Sequence, residues 1–424
     1  MKTPSLALDT IKVDIAFYDA AEKKKLLAYP TASVMEALVS KPLEIPKAEF
    51  LTYYLFHRIK LGTEGYRDFN SVAKKVHRWL GAIGECIDYE NGSVRTPRGA
   101  TRQLNEVSEH VGEAIGLSVM NRIHSLTEAD WAPIPEEQGR YARPSFDFQI
   151  ASDGIQFVQV ETKGSSVTDN RVLSGAVKTQ KRKIDEKKSK LTVLANMGED
   201  PNPASLRYGT IAVIDARQDG NVRCLLTDPP FDQMDEDPVR FRLLSRMSRL
   251  RDWICFLSPR SNLATALATR VAALEALNNP FELNDVPLLR GTGEPFYIQP
   301  YEIRTGCHSF FMASKSRVTD GPAGGVVVQL SERELFFVGI REELLVIAAN
   351  QQFEELIQYK APVASMSKTI DCTFSAGRYS RLVLPPSIRN SSRIIGGYAH
   401  FSLSGKLNYS PEGLVFGILP LPGE

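Results

Sequence analysis

Cysteine is scarce and scattered in this chain: Cys86, Cys224, Cys255, Cys307 and Cys372 show no Cys-x-x-Cys spacing. Such a set predicts neither a disulfide framework nor a zinc ribbon. The six histidines form no His-Glu-x-x-His pattern, which removes a common helical zinc signature. No Gly-x-x-x-x-Gly-Lys-Ser/Thr loop is present: Gly405-Lys406 lacks the rest of the motif, and Gly321-Pro-Ala-Gly-Gly reads as a turn. A phosphate-cradling ATPase loop is therefore not expected. No apolar run reaches the roughly 18 residues of a membrane span. Met1-Lys-Thr-Pro-Ser begins without the apolar stretch of a secretion signal. The expectation is a chain with no membrane partner in a reducing cytoplasm. Charge of either sign is not in excess, with 51 basic and 50 acidic residues giving a net +1. A wholly basic coating protein is excluded, so any nucleic-acid contact must come from local patches.

What is present is a globular composition, with 43% hydrophobic and 24% charged residues. A chain of 424 residues exceeds one ordinary core, so more than one domain is expected. Apolar residues at helical spacing over Phe17 to Tyr29, Ser33 to Leu38, Ala48 to Lys60 and Asp68 to Ile87 predict a helical N-terminal region, residues 1–90. Residues 90–103 read as a polar link. An α/β domain is predicted over 91–280 and a β-rich domain of unknown role over 281–424. In that last part short strands are expected around Pro295, Gly325, Leu335, Arg381 and Gly413, and Glu342 to Gln358 is ambiguous between strand and helix. Its surface is the candidate site for a homodimer or a protein partner.

The most informative stretch is Arg143-Pro-Ser-Phe-Asp147, followed by Val158-Gln-Val-Glu-Thr-Lys163. Phe146, Phe148 and Ile150 alternate with polar residues, as do Val158 and Val160, which predicts two strands. A three-residue loop, Ser152-Asp-Gly154, is expected to pair Ala151 with Ile155 and to set Asp147 opposite Gln159. Asp147, Glu161 and Lys163 then share a face. Diagonal neighbours on a sheet lie roughly 7–8 Å apart, so two carboxylates converge on one cation beside an ammonium. Carboxylate oxygens suit magnesium, the ion lowers the pKa of a bound water, and a lysine offsets developing charge.

Arg-Pro-x-x-Asp followed by Glu-Thr-Lys on a second strand resembles the PD-(D/E)xK nuclease superfamily over roughly Asn105 to Pro230. One departure is that Pro144 is separated from Asp147 by Ser145 and Phe146, where the family's proline commonly precedes the aspartate directly. The resemblance implies a restriction-endonuclease-like mixed sheet flanked by helices. It further implies a metal-dependent endonuclease acting on nucleic acid, most readily DNA, in a setting such as restriction or phage defence. Asp147 and Glu161 would hold magnesium or manganese, and Lys163 would act on the attacking water. Glu113, in Gly-Glu-Ala-Ile-Gly on the helix Leu104 to Ile123, matches the glutamate that this family's first core helix often sends to the metal. Gly112 and Gly116 are small enough to let that helix approach the sheet closely. A solvated helix face is the alternative for Glu113, and a catalytically inactive nucleic-acid-binding or assembly subunit is the alternative for the whole chain.

Downstream, Arg171 to Lys190 is a basic helix entered through a turn at Gly164-Ser-Ser. Lys178, Gln180, Lys181 and Arg182 are its candidate phosphate contacts. Tyr208 to Asp215 reads as a strand buried on both faces, with Val222 to Thr227 beside it. On a further helix, Asp237 to Leu257, Arg242 and Arg246 share one side with Arg249. They are candidates for gripping a nucleic-acid backbone or for pairing with acidic residues of another domain.

Overall fold

The computed structural model describes residues 10–57, 59, 61, 69–86, 88–90, 93–95, 103–134, 149–200, 202–215, 221–227, 237–257, 262–286, 288, 297–302, 308–312, 324–375, 379–380 and 382–421. The chain is mixed α/β. It divides into two compact units, residues 1–57 with 79–245, and residues 58–78 with 246–424.

The first unit is built on a seven-stranded mixed sheet. Its strands are β1 (Thr10–Phe17), β2 (Leu43–Pro46), β5 (Trp131–Pro133), β6 (Gln149–Ser152), β7 (Phe157–Val167), β8 (Leu206–Asp215) and β9 (Val222–Thr227), in the order β2-β1-β9-β8-β7-β6-β5. β7 runs parallel to β8, while β5, β6 and β7 form an antiparallel meander. Every residue of β8 is buried, as expected for a strand covered on both faces.

The N-terminal stretch departs from the expected helical region. Helices α1 (Ala20–Leu26), α2 (Ala32–Val39), α3 (Lys47–Phe56) and α4 (Phe69–Cys86) do form. They are accompanied by β1, which pairs parallel to β9, and by β2, its antiparallel neighbour. In β1 the buried residues Ile11, Val13 and Ile15 alternate with Lys12 and Asp14, a period of two that places the strand inside the sheet's core. The short pair β3 (Asp88–Glu90) and β4 (Ser93–Arg95) runs from the end of the expected helical region into the expected polar link.

Two helices position the strand that matters most. α5 (Gln103–His124) crosses one face of β7 on small residues. A Cβ added at Gly112 would lie 2.5 Å from the Gly164 amide nitrogen, one at Gly116 2.8 Å from the Thr162 methyl, and one at Gly164 1.7 Å from the Ser108 carbonyl oxygen. The predicted close approach through Gly112 and Gly116 is therefore present. Gly164 takes part in it rather than in a turn: β7 continues to Val167, and α6 (Gly175–Asn196) starts only at the Ser174 cap, whose side chain accepts from the Val177 amide.

α6 lies on the other face. Val177 and Ile184 join Ile211, Val213 and Leu225 in one apolar cluster. Gly209 is the register neighbour of Glu161, and a Cβ there would meet the Ile184 side chain at 2.8 Å. The missing side chain at 209 is what lets α6 settle beside Glu161.

The second unit carries an eight-stranded antiparallel sheet. It comprises β10 (Tyr297–Glu302), β11 (His308–Met312), β12 (Gly324–Ser331), β13 (Glu334–Ile340), β14 (Ala364–Ser375), β15 (Arg393–Ile395), β16 (Tyr398–Tyr409) and β17 (Leu414–Pro420). The predicted β-rich character holds. Residues 382–385 are not a strand, and the ambiguous segment forms two helices, α9 (Glu342–Ala349) and α10 (Phe353–Gln358). Helix α7 (Pro238–Leu257) lies close to the sequence expectation, and α8 (Asn262–Ala276) follows it. The boundary between the units falls inside α4 and α7. Among the described residues no helix is long and apolar enough to cross a membrane.

Candidate functional site

β7 alternates, so Thr162 and Gly164 face α5 while Glu161 and Lys163 leave from the opposite face. Glu161 is 2% exposed. One of its oxygens accepts from the Lys163 ammonium at 2.5 Å. The other accepts from the Lys187 ammonium of α6 at 2.6 Å. The predicted Glu-x-Lys pair is thus brought together on one strand face, and a second lysine joins it. Lys187 stood in the basic run of the sequence without being singled out. The helical period does mark it: it lies three residues after Ile184 and four before Leu191, both buried against the sheet.

The hairpin forms with a different register from the one predicted. Ile150 is opposite Gln159, Ala151 opposite Val158 and Ser152 opposite Phe157. The loop is Asp153 to Gln156, and Ile155 is 84% exposed within it. Asp153 is the cause: its Oδ1 accepts from the amides of Ile155 and Gln156 at 2.8 and 2.9 Å, a local side-chain closure that competes with ladder pairing. Gly154 does adopt the left-handed conformation, with φ 90°. The pairing is displaced by an odd number of residues, which exchanges faces. The expected parity between Asp147 and Glu161 therefore loses its basis. Asp147 itself lies outside the described residues.

Glu113 is buried on α5, next to the Gly112 contact. Since α5 covers the Thr162 face, Glu113 approaches β7 from the side opposite to the one on which Glu161 leaves it. Among the described residues no group of three His, Cys, Asp or Glu side chains is arranged to hold a metal ion. Glu161 is a hard oxygen donor of the kind divalent cations prefer, but both of its oxygens are held by ammoniums.

Cysteine chemistry is disfavoured among the described cysteines. Burial pushes the Cys224 thiol up to about 12 and also raises Cys255 and Cys372, which suppresses the reactive thiolate.

The candidate nucleic-acid contacts divide into two groups. Lys178 and Arg182 are exposed on α6, Arg182 lying 3.6 Å from Glu186. Gln180 is half-buried, and its Oε1 has no hydrogen-bond partner among the described residues. Lys181 is instead engaged with acids, at 3.0 Å from Glu22 and 2.5 Å from Asp185, above the Tyr18 ring. Burial pulls its pKa down, but those two carboxylates outweigh it and hold it above the ordinary lysine value.

Arg242 and Arg246 are corrected outright as groups for gripping a nucleic-acid backbone, being 6% and 5% exposed. Arg242 donates to Asp130 at 2.9 Å, to the Asp153 carbonyl at 2.7 Å and to the Ser125 carbonyl at 3.1 Å. Arg246 donates to the carbonyls of Leu356 and Tyr359 at 2.7 and 2.8 Å. A planar fork of donors suits such multidentate clamps, and buried ions must be paired this fully to persist.

One buried network lay beyond the sequence. His124, at the end of α5, contacts Asp153 through Nδ1 at 3.0 Å and the Tyr208 hydroxyl through Nε2 at 3.1 Å. Burial pushes the Asp153 carboxyl up. Hydrogen bonds from His124 and from the amides of Gln156 and Ile155 outweigh this and hold it below the usual carboxylate range. With His124 and Tyr208 5% and 0% exposed, this set ties the hairpin loop to α5 and β8 and offers no reacting surface.

Comparison with protein-family models, curated proteins and solved structures finds no match for this chain.

Proposed function

We propose that this chain is a metal-dependent nuclease that hydrolyses phosphodiester bonds, with DNA as substrate, in restriction or phage defence. The observation that carries the reading is the contact between Glu161 and Lys163, two residues apart on one face of a buried strand. The order of α5, hairpin β6–β7, α6 and β8 supports a restriction-endonuclease-like core, since it is the order implied by the resemblance to PD-(D/E)xK nucleases. The defence setting rests on that resemblance alone.

Glu161 would contribute a carboxylate oxygen to magnesium or manganese, with Asp147 as the second ligand that the resemblance implies; Glu113, on the α5 side of β7, stands outside that set. When bound, such an ion lowers the pKa of a coordinated water and offsets charge on phosphate oxygens. Lys163 holds the attacking water beside the phosphorus and balances the charge that grows on the phosphate. The water adds to phosphorus as the bond to one sugar oxygen breaks. A proton passes from the water to solvent, and the departing oxygen takes one up. Lys178 and Arg182, exposed on α6, supply backbone contacts that position the strand without reading its sequence.

A second reading is favoured by one observation: both Glu161 oxygens are already taken by ammoniums. It makes the chain a catalytically inactive, nuclease-like nucleic-acid-binding or assembly subunit. A magnesium titration with plasmid and linear DNA separates the two. Under the nuclease reading cleavage requires the ion and disappears in Lys163→Ala. DNA binding by wild type without magnesium-dependent cleavage supports the second reading.

A further inference from the structure

Glu161 is buried beneath two ammoniums that are each about a quarter exposed, Lys163 at 23% and Lys187 at 26%. One ammonium sits on each carboxylate oxygen, at 2.5 and 2.6 Å, so the two are close neighbours and the trio keeps one net positive charge. Lys183 and Lys190 stand four residues before and three after Lys187, on the same side of α6, and both are exposed. The acids of α6, Asp185 and Glu186, pair elsewhere, at 2.5 Å from Lys181 and 3.6 Å from Arg182. Charge on the helix is thus sorted: Lys183, Lys187 and Lys190 form a row of one sign that meets the sheet at the Glu161 carboxylate.

We propose that Lys163, Lys183, Lys187 and Lys190 form a docking site for the phosphodiester backbone of DNA that fills without a divalent ion, with Glu161 as the buried post that holds two of the ammoniums side by side. The proposal rests on the nucleic-acid ligand that both readings above share, and it places no metal at Glu161. A phosphodiester carries one negative charge and two non-bridging oxygens. Lys163 and Lys187 supply charge-assisted hydrogen bonds to those oxygens, and the phosphate balances the net charge of the trio. Lys183 and Lys190, about 10 Å apart along the helix axis, meet neighbouring phosphates of the same strand. Without the carboxylate the two inner ammoniums would repel each other. With it they stand paired before the ligand arrives, which lowers the ordering cost of binding. Contacts of this kind position a strand without reading its sequence.

Fluorescence anisotropy of the full chain with a labelled DNA duplex in EDTA, over a series of salt concentrations, tests this. Wild type is expected to bind without magnesium. Lys183→Ala combined with Lys190→Ala should weaken binding about tenfold or more at about 0.1 M salt, and the affinity should fall off less steeply with salt, by about two units of slope. Lys187→Met should lower the slope by about one unit, and Lys187→Arg should stay near wild type. Lys187→Gln serves as the neutral variant should the methionine protein melt early. Lys41→Ala combined with Lys74→Ala removes two exposed lysines outside the site and should leave the affinity close to wild type.

No binding by wild type in EDTA overturns the proposal. So does a salt slope left unchanged by the Lys183 and Lys190 pair of substitutions or by both neutral Lys187 variants, and so does an equal loss in the Lys41 and Lys74 control. Cleavage of DNA by wild type with magnesium is read separately. If it occurs while binding in EDTA is absent, the docking site falls and the nuclease reading survives. If binding in EDTA follows the expected pattern while cleavage is absent, the docking site stands and the nuclease reading falls.

Discussion

On one face of β7, Thr162, Gly164 and Ser166 receive α5 through short or missing side chains, and Ser108 meets Ser166 hydroxyl to hydroxyl at 2.7 Å. On the other face, Glu161 and Lys163 receive α6 through charge. The same strand therefore packs one helix by steric fit and the other through a carboxylate and two ammoniums beside an apolar cluster. Steric fit tolerates almost no change in volume. A charge cluster at the edge of solvent tolerates changes in shape, but its chemistry depends on which ions are present. The first face is expected to govern stability and the second to govern activity.

Gly164→Ala should break the first face most severely. The new methyl would overlap the Ser108 carbonyl, so a loss of at least about 3 kcal/mol is expected in urea or thermal unfolding, at the top of the range for overpacking. A loss under about 1 kcal/mol would mean that α5 is not seated there. Gly209→Ala tests the second face by the same means. The Thr227 and Ile184 side chains that such a methyl would meet can yield where backbone cannot, so a smaller loss of about 1–3 kcal/mol is expected, with reduced DNA cleavage as α6 shifts beside Glu161.

Glu161→Gln should cost only about 1 kcal/mol of stability, because both ammoniums are partly hydrated. Its cleavage rate should fall by about 10²-fold or more. Equal losses in Gly164→Ala and Glu161→Gln, in both stability and rate, would erase the distinction between the faces.

The smallest effect concerns the hairpin loop that ends β6. The folded-state pKa of Asp153 is depressed, so its stabilising contribution is present above the unfolded value near 4 and is lost as pH falls through the folded value. Wild type should lose more stability than Asp153→Asn on acidification from pH 5 to pH 2, followed by chemical denaturation. Parallel pH profiles for the two proteins would contradict that assignment.

Much of this arrangement is legible in the sequence where the signal is periodic and local. α5 and β8 follow from their apolar pattern, α6 from its basic run and β9 from the turn before it, and Gly112 and Gly116 announce a close helix–strand contact. The Glu-x-Lys pair is visible because two residues on one strand always share a face. What fails is what depends on distant partners. The hairpin register was set by Asp153 capping its own loop rather than by alternation. The row containing Arg242 and Arg246 looks like an exposed basic face, yet its partners are Asp130 and main-chain carbonyls far along the chain. Lys187 is hidden among neighbours of the same charge: the helical period marks Lys187 and Lys188 alike between Ile184 and Leu191, and the structure sets Lys187 on Glu161. The strand β1 carries clear alternation, but its place beside β9 requires a parallel crossover that no local pattern announces.

The central claim, that Glu161 belongs to a hydrolytic centre, is tested most directly by supercoiled plasmid incubated with magnesium and either wild type or Glu161→Ala. The expected result is nicking or linearisation by wild type that needs the ion and is lost in the folded variant. Equal nicking by both proteins would contradict it.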